Sequence, residues 1–267
     1  MMIYIFYMFN QRMIHMTNTK KLLALAVAAV VLVGCKNMNA NMLASSGVSA
    51  FKAATLSDAD VKALSNDACK QMDATNKVAG ASSKYTKRLN TIAKALGNNA
   101  DGTPVNYKVY LTSDVNAWAM ANGCVRVYSG LMDMMTDNEV EAVLGHELGH
   151  VALGHSKKAM QAEYATIAAR DAISATSGVA AQLSRSQLGD LANGVINSAF
   201  SRSQESDSDD FSYDLLKKRG IKTQGLVTSF EKLAKMDSGH AKSLFDSHPP
   251  SAERAQHIRD RIAADKK

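Results

Sequence analysis

Residues 136–150 read TDNEVEAVLGHELGH, and the way this stretch coils decides how the rest of the chain is read. Thr136 stands three residues before Glu139, the spacing at which a hydroxyl and a carboxylate cap a helix start reciprocally. A helix is therefore predicted from about residue 137 toward 160. At about 100° per residue, with His146 at 0°, Glu147 lies at about 100° and His150 at about 40°. Val140, Leu144, Leu148 and Val151 fall between about 120° and 200°, so one helix carries an apolar stripe beside a face bearing two imidazoles and a carboxylate.

That face suits a metal. Two histidines at i and i+4 can bind a zinc ion, one per chain, and the glutamate between them is placed to take a proton from a water at the ion. With 7 His and 7 Glu in 267 residues, chance gives the H-E-x-x-H pattern in only about 0.005 of such chains, which outweighs a reading as idle surface histidines. His155 invites an extension of the motif. In a continuous helix, however, it falls at about 180°, on the apolar stripe, and Gly154 comes one residue late for the metzincin pattern. A buried or helix-end structural histidine is the expectation there.

A catalytic zinc takes a third protein ligand. SQESDSDD at 203–210 opens a later helix, and Glu205 and Asp209, four apart, share a face. One of the pair suits the ion and the other the task of orienting a ligand histidine. Spacing leaves open which, and acids at a helix N-terminus also have a purely electrostatic reason to be there.

Away from this helix, LLALAVAAVVLVG at 22–34 follows Lys20 and Lys21 and ends at Cys35. It is too short to span a bilayer comfortably and reads as the core of a secretory signal. Its end resembles the lipobox of bacterial lipoproteins, which makes Cys35 the lipidated first residue of the mature chain. Starting at Met16 gives the better-formed signal, so residues 1–15 are expected to be a start-site over-extension. The expected organisation is 1–34 signal, 35–50 acylated cysteine and polar tether, and 51–267 catalytic domain. Lys36 rather than Asp after the cysteine implies, by the same resemblance, an outer-membrane anchor facing the periplasm.

The 46% hydrophobic and 21% charged content excludes disorder, collagen and a coiled coil. The formal charge of +6 hints at nucleic acid. Removing residues 1–34 takes away Arg12, Lys20 and Lys21 and no acids, so 28 basic against 25 acidic residues leave +3, and nucleic acid is not an expected partner. Lys157-Lys158 and Lys217-Lys218-Arg219 look like last-turn helix charges. Cys69 and Cys124 remain as an even pair in an oxidising compartment, and a disulfide is the economical reading over two free thiols.

Further helices are predicted over about 58–72, 83–96, 202–218, 224–236 and 251–263, and strands over Asn106 to Thr112 and Cys124 to Tyr128. Residues 160–200 are rich in Ala, Ser and Gly with weak helical periodicity, and contain no run of 18 apolar residues. The class is α+β, mainly helical, with a small β-sheet next to the HExxH helix.

HELGH followed some 55 residues later by FSRSQESDSDD, the stretch Asn116 to Leu131, and His248-Pro249-Pro250-Ser251 with Glu253-Arg254 together resemble the gluzincin peptidases that include HtpX, the CAAX prenyl proteases and BepA. The match covers most of residues 50–262, and with the lipoprotein signal it is similar above all to that family's small outer-membrane members. The resemblance implies a zincin-type domain with His146, His150 and Glu205 as zinc ligands, Glu147 as catalytic base and Asp209 behind a zinc histidine. It places His248 near the metal, either stabilising the oxyanion or occluding the ion at rest. Ser208 stands where the family usually has Ala.

The expected function is a zinc endopeptidase acting on unfolded or misfolded envelope proteins. Other quality-control proteases or assembly factors are further expected partners. The strand Val125, Arg126, Val127, Tyr128 is expected to hold an extended substrate by β-addition. A second reading is a latent, chaperone-like zinc adaptor of outer-membrane protein assembly that rarely cleaves.

Overall fold

Ser57 and Asp60 cap each other across the start of helix α1 (Asp58–Thr75). Ser83 caps α2 (Lys84–Leu96), which stops at Gly97. The computed structural model describes residues 56–170, 183–235, 247–248 and 252–265, all within one unit spanning 46–267. The signal, Cys35, the tether, and part of the 160–200 stretch lie outside the described residues.

After α2 come a short antiparallel pair, β1 (Asn99–Ala100) and β2 (Thr103–Pro104), and then β3 (Asn106–Tyr110), β4 (Ala117–Ala119) and β5 (Cys124–Tyr128). These last three form one sheet in the order β3-β5-β4. β3 runs parallel to β5, from Asn106 opposite Cys124 to Tyr110 opposite Tyr128, and β4 is antiparallel to it. The helices that follow are α3 (Ser129–Met134), α4 (Asp137–Ala152), α5 (His155–Arg170), α6 (Arg185–Ile196), α7 (Arg202–Lys218), α8 (Gln224–Ala234) and α9 (Ala252–Ala264). No helix among the described residues is long and apolar enough to cross a membrane.

The alternation of the strands divides the interior in two. Val109, Ala117, Ala119, Val125 and Val127 face a core shared with α2, α4, α7 and α8. Tyr110, Trp118 and Cys124 face a second core made by α1, α5 and α6. The disulfide Cys69–Cys124 ties α1 to the sheet within the second core.

Three expectations are corrected. β5 is the central strand, so its backbone is already paired on both sides and Val125, Arg126, Val127 and Tyr128 cannot accept a further strand. Arg126 is only 1% exposed. The metal helix does not run toward 160: the N–H of Leu153 bonds the Gly149 carbonyl, that of Gly154 bonds Val151, and Gly154 takes φ 73°. This is a glycine stop, and α5 begins at once with His155. Lys157 and Lys158 therefore lie near the start of α5, where Lys157 pairs with Asp58.

Candidate metal centre

Thr136 and Glu139 form the expected capping box at the head of α4. The helix meets α7 along a seam of small residues. A Cβ on Gly149 would stand 2.9 Å from the Cα of Ser208, and one on Gly145 would stand 2.5 Å from the Ser212 hydroxyl. Ser212 spends that hydroxyl on the Ala142 carbonyl of α4, 2.9 Å away. Backbones this close bring the first turns of α7 over the face of α4 that bears the histidines.

Four ligand atoms converge there, from His146, His150, Glu205 and His248, all within 4.8 Å of one another and all from buried residues. Nε2 of His150 is 3.0 Å from Nε2 of His146, and Nε2 of His146 is 3.3 Å from Nδ1 of His248. Glu205 Oε1 is 3.2 Å from His150 Nε2 and 2.9 Å from His248 Nδ1. In a tetrahedral zinc site with bonds near ~2.05 Å the ligand atoms stand ~3.3 Å apart, so these spacings are those of a cage around one ion. The donor set, imidazole nitrogens and a carboxylate, is also what zinc takes.

The supports of the cage are equally specific. Asp209 Oδ1 lies 2.8 Å from Nδ1 of His146, which keeps that ring's proton outward and its Nε2 inward. Arg254 grips Asp209 from Nε and Nη2 at 2.6 and 2.7 Å, and its Nη1 is 2.6 Å from Glu205 Oε2. Phe200 stacks on His150 with ring centroids 3.9 Å apart and lies 5.3 Å from His248. Arg254 and Phe200 carry no assigned role in the sequence reading, although both sit inside the motifs quoted there.

Burial pushes the Glu147 carboxyl up from its ordinary value, partly offset by His248 and His146. Its Oε1 has no hydrogen-bond partner among the described residues and lies 3.5 Å from Nε2 of His248. For Glu205, burial opposes ionisation, but hydrogen bonds from His150 and His248 outweigh it and hold the carboxyl well below its usual range. Burial likewise opposes the ionised Asp209, and Arg254 and His146 overcome it. Burial drives His150 well down toward the neutral, ligand-competent form. His248 is raised against its own burial by the charges of Glu147 and Glu205.

The structure thus brings together every residue expected at the metal: His146, Glu147, His150, Glu205, Asp209 and His248. Val125 to Tyr128 are not among them. The strand next to the base is β4, where hydrogen bonding from the Ala119 N–H helps restrain the Glu147 carboxyl.

Residues 83–262 match peptidase family M48. The chain is 71% identical over 254 residues to the metalloprotease YcaL of Escherichia coli (strain K12), covering 94% of this chain and all of that one. It is 62% identical over 248 residues to the metalloprotease LoiP of the same organism, 92% of this chain and 98% of that one. A putative beta-barrel assembly-enhancing protease of Vibrio cholerae is 30% identical over 142 residues, 49% of this chain and 29% of that one.

Proposed function

This chain belongs to peptidase family M48 and is a zinc metalloprotease, and from that premise we propose an endopeptidase anchored to the outer membrane through acylated Cys35, facing the periplasm and cutting unfolded or damaged envelope proteins. The observation that carries the catalytic part is the buried Oε1 of Glu147, which has no hydrogen-bond partner among the described residues, beside the cage of His146, His150 and Glu205. The signal-like run before Cys35 supports the location, and the name of the Vibrio cholerae relative, a putative beta-barrel assembly-enhancing protease, supports a role connected with beta-barrel assembly.

A zinc ion held by His146, His150 and Glu205 would supply Lewis-acid chemistry to the peptide carbonyl and to a water. Glu147, whose carboxyl burial raises from its ordinary value, is the base that takes the proton from the attacking water and returns it to the leaving amine. Asp209 fixes the His146 ring, and Arg254 fixes Asp209 and Glu205. β4 is the edge strand on this side of the sheet.

His248 occupies the fourth corner of the cage, which favours a site closed at rest and keeps alive the reading as a latent adaptor. Unfolded casein with and without a chelator separates the two: cleavage lost to chelation and restored by zinc supports the peptidase, and tight binding without turnover supports the adaptor. Glu147→Gln is expected to retain zinc and lose cleavage. His248→Ala is expected to raise turnover, and a tenfold or larger loss would instead make His248 part of the catalytic machinery. Mass spectrometry of the mature N-terminus tests the anchor, with an unmodified Cys35 overturning it.

A further inference from the structure

The glycine stop at Gly154 folds the chain back so that His155, 6% exposed, packs behind the metal helix. Its Nδ1 stands 3.1 Å from Nδ1 of His150. Ser208 Oγ of α7 lies 3.3 Å from the same His155 nitrogen. A neutral imidazole that offers Nε2 to an ion carries its proton on Nδ1, and that N–H is held by an acceptor in nearly every metal site. For His146 the acceptor is the Asp209 carboxylate. For His150, the partner at this position among the described residues is another imidazole.

We propose that in the zinc-loaded protein, where Nε2 of His150 gives up its contact proton to bind the ion, His155 is the positioning residue of His150: its unprotonated Nδ1 accepts the His150 Nδ1–H, and so selects Nε2 of His150 for the ion and sets the rotation of that ring. Two consequences follow from the geometry. Because only one of two facing Nδ1 atoms can hold the proton, His155 is the Nε2–H tautomer. Ser208 shares the His155 lone pair and keeps that ring turned toward His150. Phe200 stacks on the His150 face while His155 holds its edge, so the ring is restrained in both tilt and rotation. The two zinc histidines are thereby unequal, one backed by a carboxylate that Arg254 grips and the other by a neutral ring.

The proposal rests on the zinc reading of the cage but not on cleavage, so its test reads metal binding. The mature protein is stripped with a chelator, and zinc affinity is measured by competition with a chromogenic chelator, alongside metal-free melting. His155→Leu, which fills the space without an acceptor, is expected to weaken zinc about 10- to 100-fold, whereas His155→Asn, whose amide oxygen takes the Nδ1 position, stays within about threefold of the parent. Leu binding as tightly as the parent, or Asn as weakly as Leu, overturns the assignment. Should the Leu variant fail to fold, side-chain nitrogen NMR of the zinc-loaded parent decides. A protonated His150 Nδ1 facing a bare His155 Nδ1 supports the proposal, and a proton on His155 Nδ1 refutes it.

Discussion

Arg254 is the residue that lets two carboxylates sit side by side in the interior. It is 6% exposed and pairs with both Asp209 and Glu205. Nothing in its local sequence reveals this, because its partners lie on α7, some 45 residues away. Glu205 is more legible: H-E-x-x-H demands a third ligand, and a charged stretch opening a later helix is a place to look for one. Choosing between Glu205 and Asp209 needed the family resemblance, since i and i+4 share a face whichever of them binds. Removing Arg254 leaves buried charge without its counterion, which costs about 3–5 kcal/mol. Arg254→Met is therefore expected to lower metal-free stability by about that much, with part of the loss recovered when zinc replaces the missing positive charge. Thermal unfolding with and without zinc checks it, the expected sign being a larger zinc-induced rise in Tm for the variant than for the parent.

At the scale of elements, the site exists because α4 and α7 touch through Gly145, Gly149, Ser208 and Ser212. Hydrophobic periodicity locates the apolar stripe of α4 correctly, as burial of Val140, Leu144, Leu148 and Val151 shows. It is blind to a seam made of glycine and serine. Gly149→Ala would put a Cβ 2.9 Å from the Cα of Ser208, where only movement of α7 gives relief. Overpacking of this kind costs about 1–3 kcal/mol, and a shift approaching 1 Å at a reacting geometry costs about 10²-fold in rate. A destabilised, zinc-weakened and slow enzyme is expected. Gly189 of α6 serves as the control: its added Cβ meets nothing within 4 Å, so Gly189→Ala is expected to stabilise by about 0.5–1 kcal/mol. Equal behaviour of the two variants in denaturant unfolding would contradict the seam. The same blindness explains the two misread elements. Strand order depends on pairing far along the chain, which is why β5 looked like an edge. The end of α4 depends on one glycine adopting φ 73°, and without that turn His155 would point into the apolar stripe.

Across the whole molecule, the sheet separates the metal-bearing core from a second core built on α1, and α1 lies before the matched family region. Two links one helical turn apart fasten it. The disulfide Cys69–Cys124 closes a span of 55 residues, which by loop entropy is worth about 4 kcal/mol. Four residues on, Asp73 accepts from Arg126 at 2.8 and 2.9 Å, from Lys108 at 2.6 Å and from Tyr110 at 2.8 Å. Burial opposes its ionisation, but these partners prevail and lower its pKa from 3.8 to about 2. A folded-state value below the unfolded one means that this stability is complete above about pH 4 and disappears as pH falls through about 2. With the Asp73 side chain 18% exposed, screening is limited and the contribution is about 2 kcal/mol. Asp73→Asn is expected to remove that part of the acid slope. It should also lie lower at neutral pH by about 3–5 kcal/mol, because Arg126 stays buried without its counterion. Denaturant unfolding between pH 7 and pH 2 measures both effects, and an unchanged slope from pH 4 to pH 2 in the variant would remove Asp73 as the acid-sensitive link between the two cores.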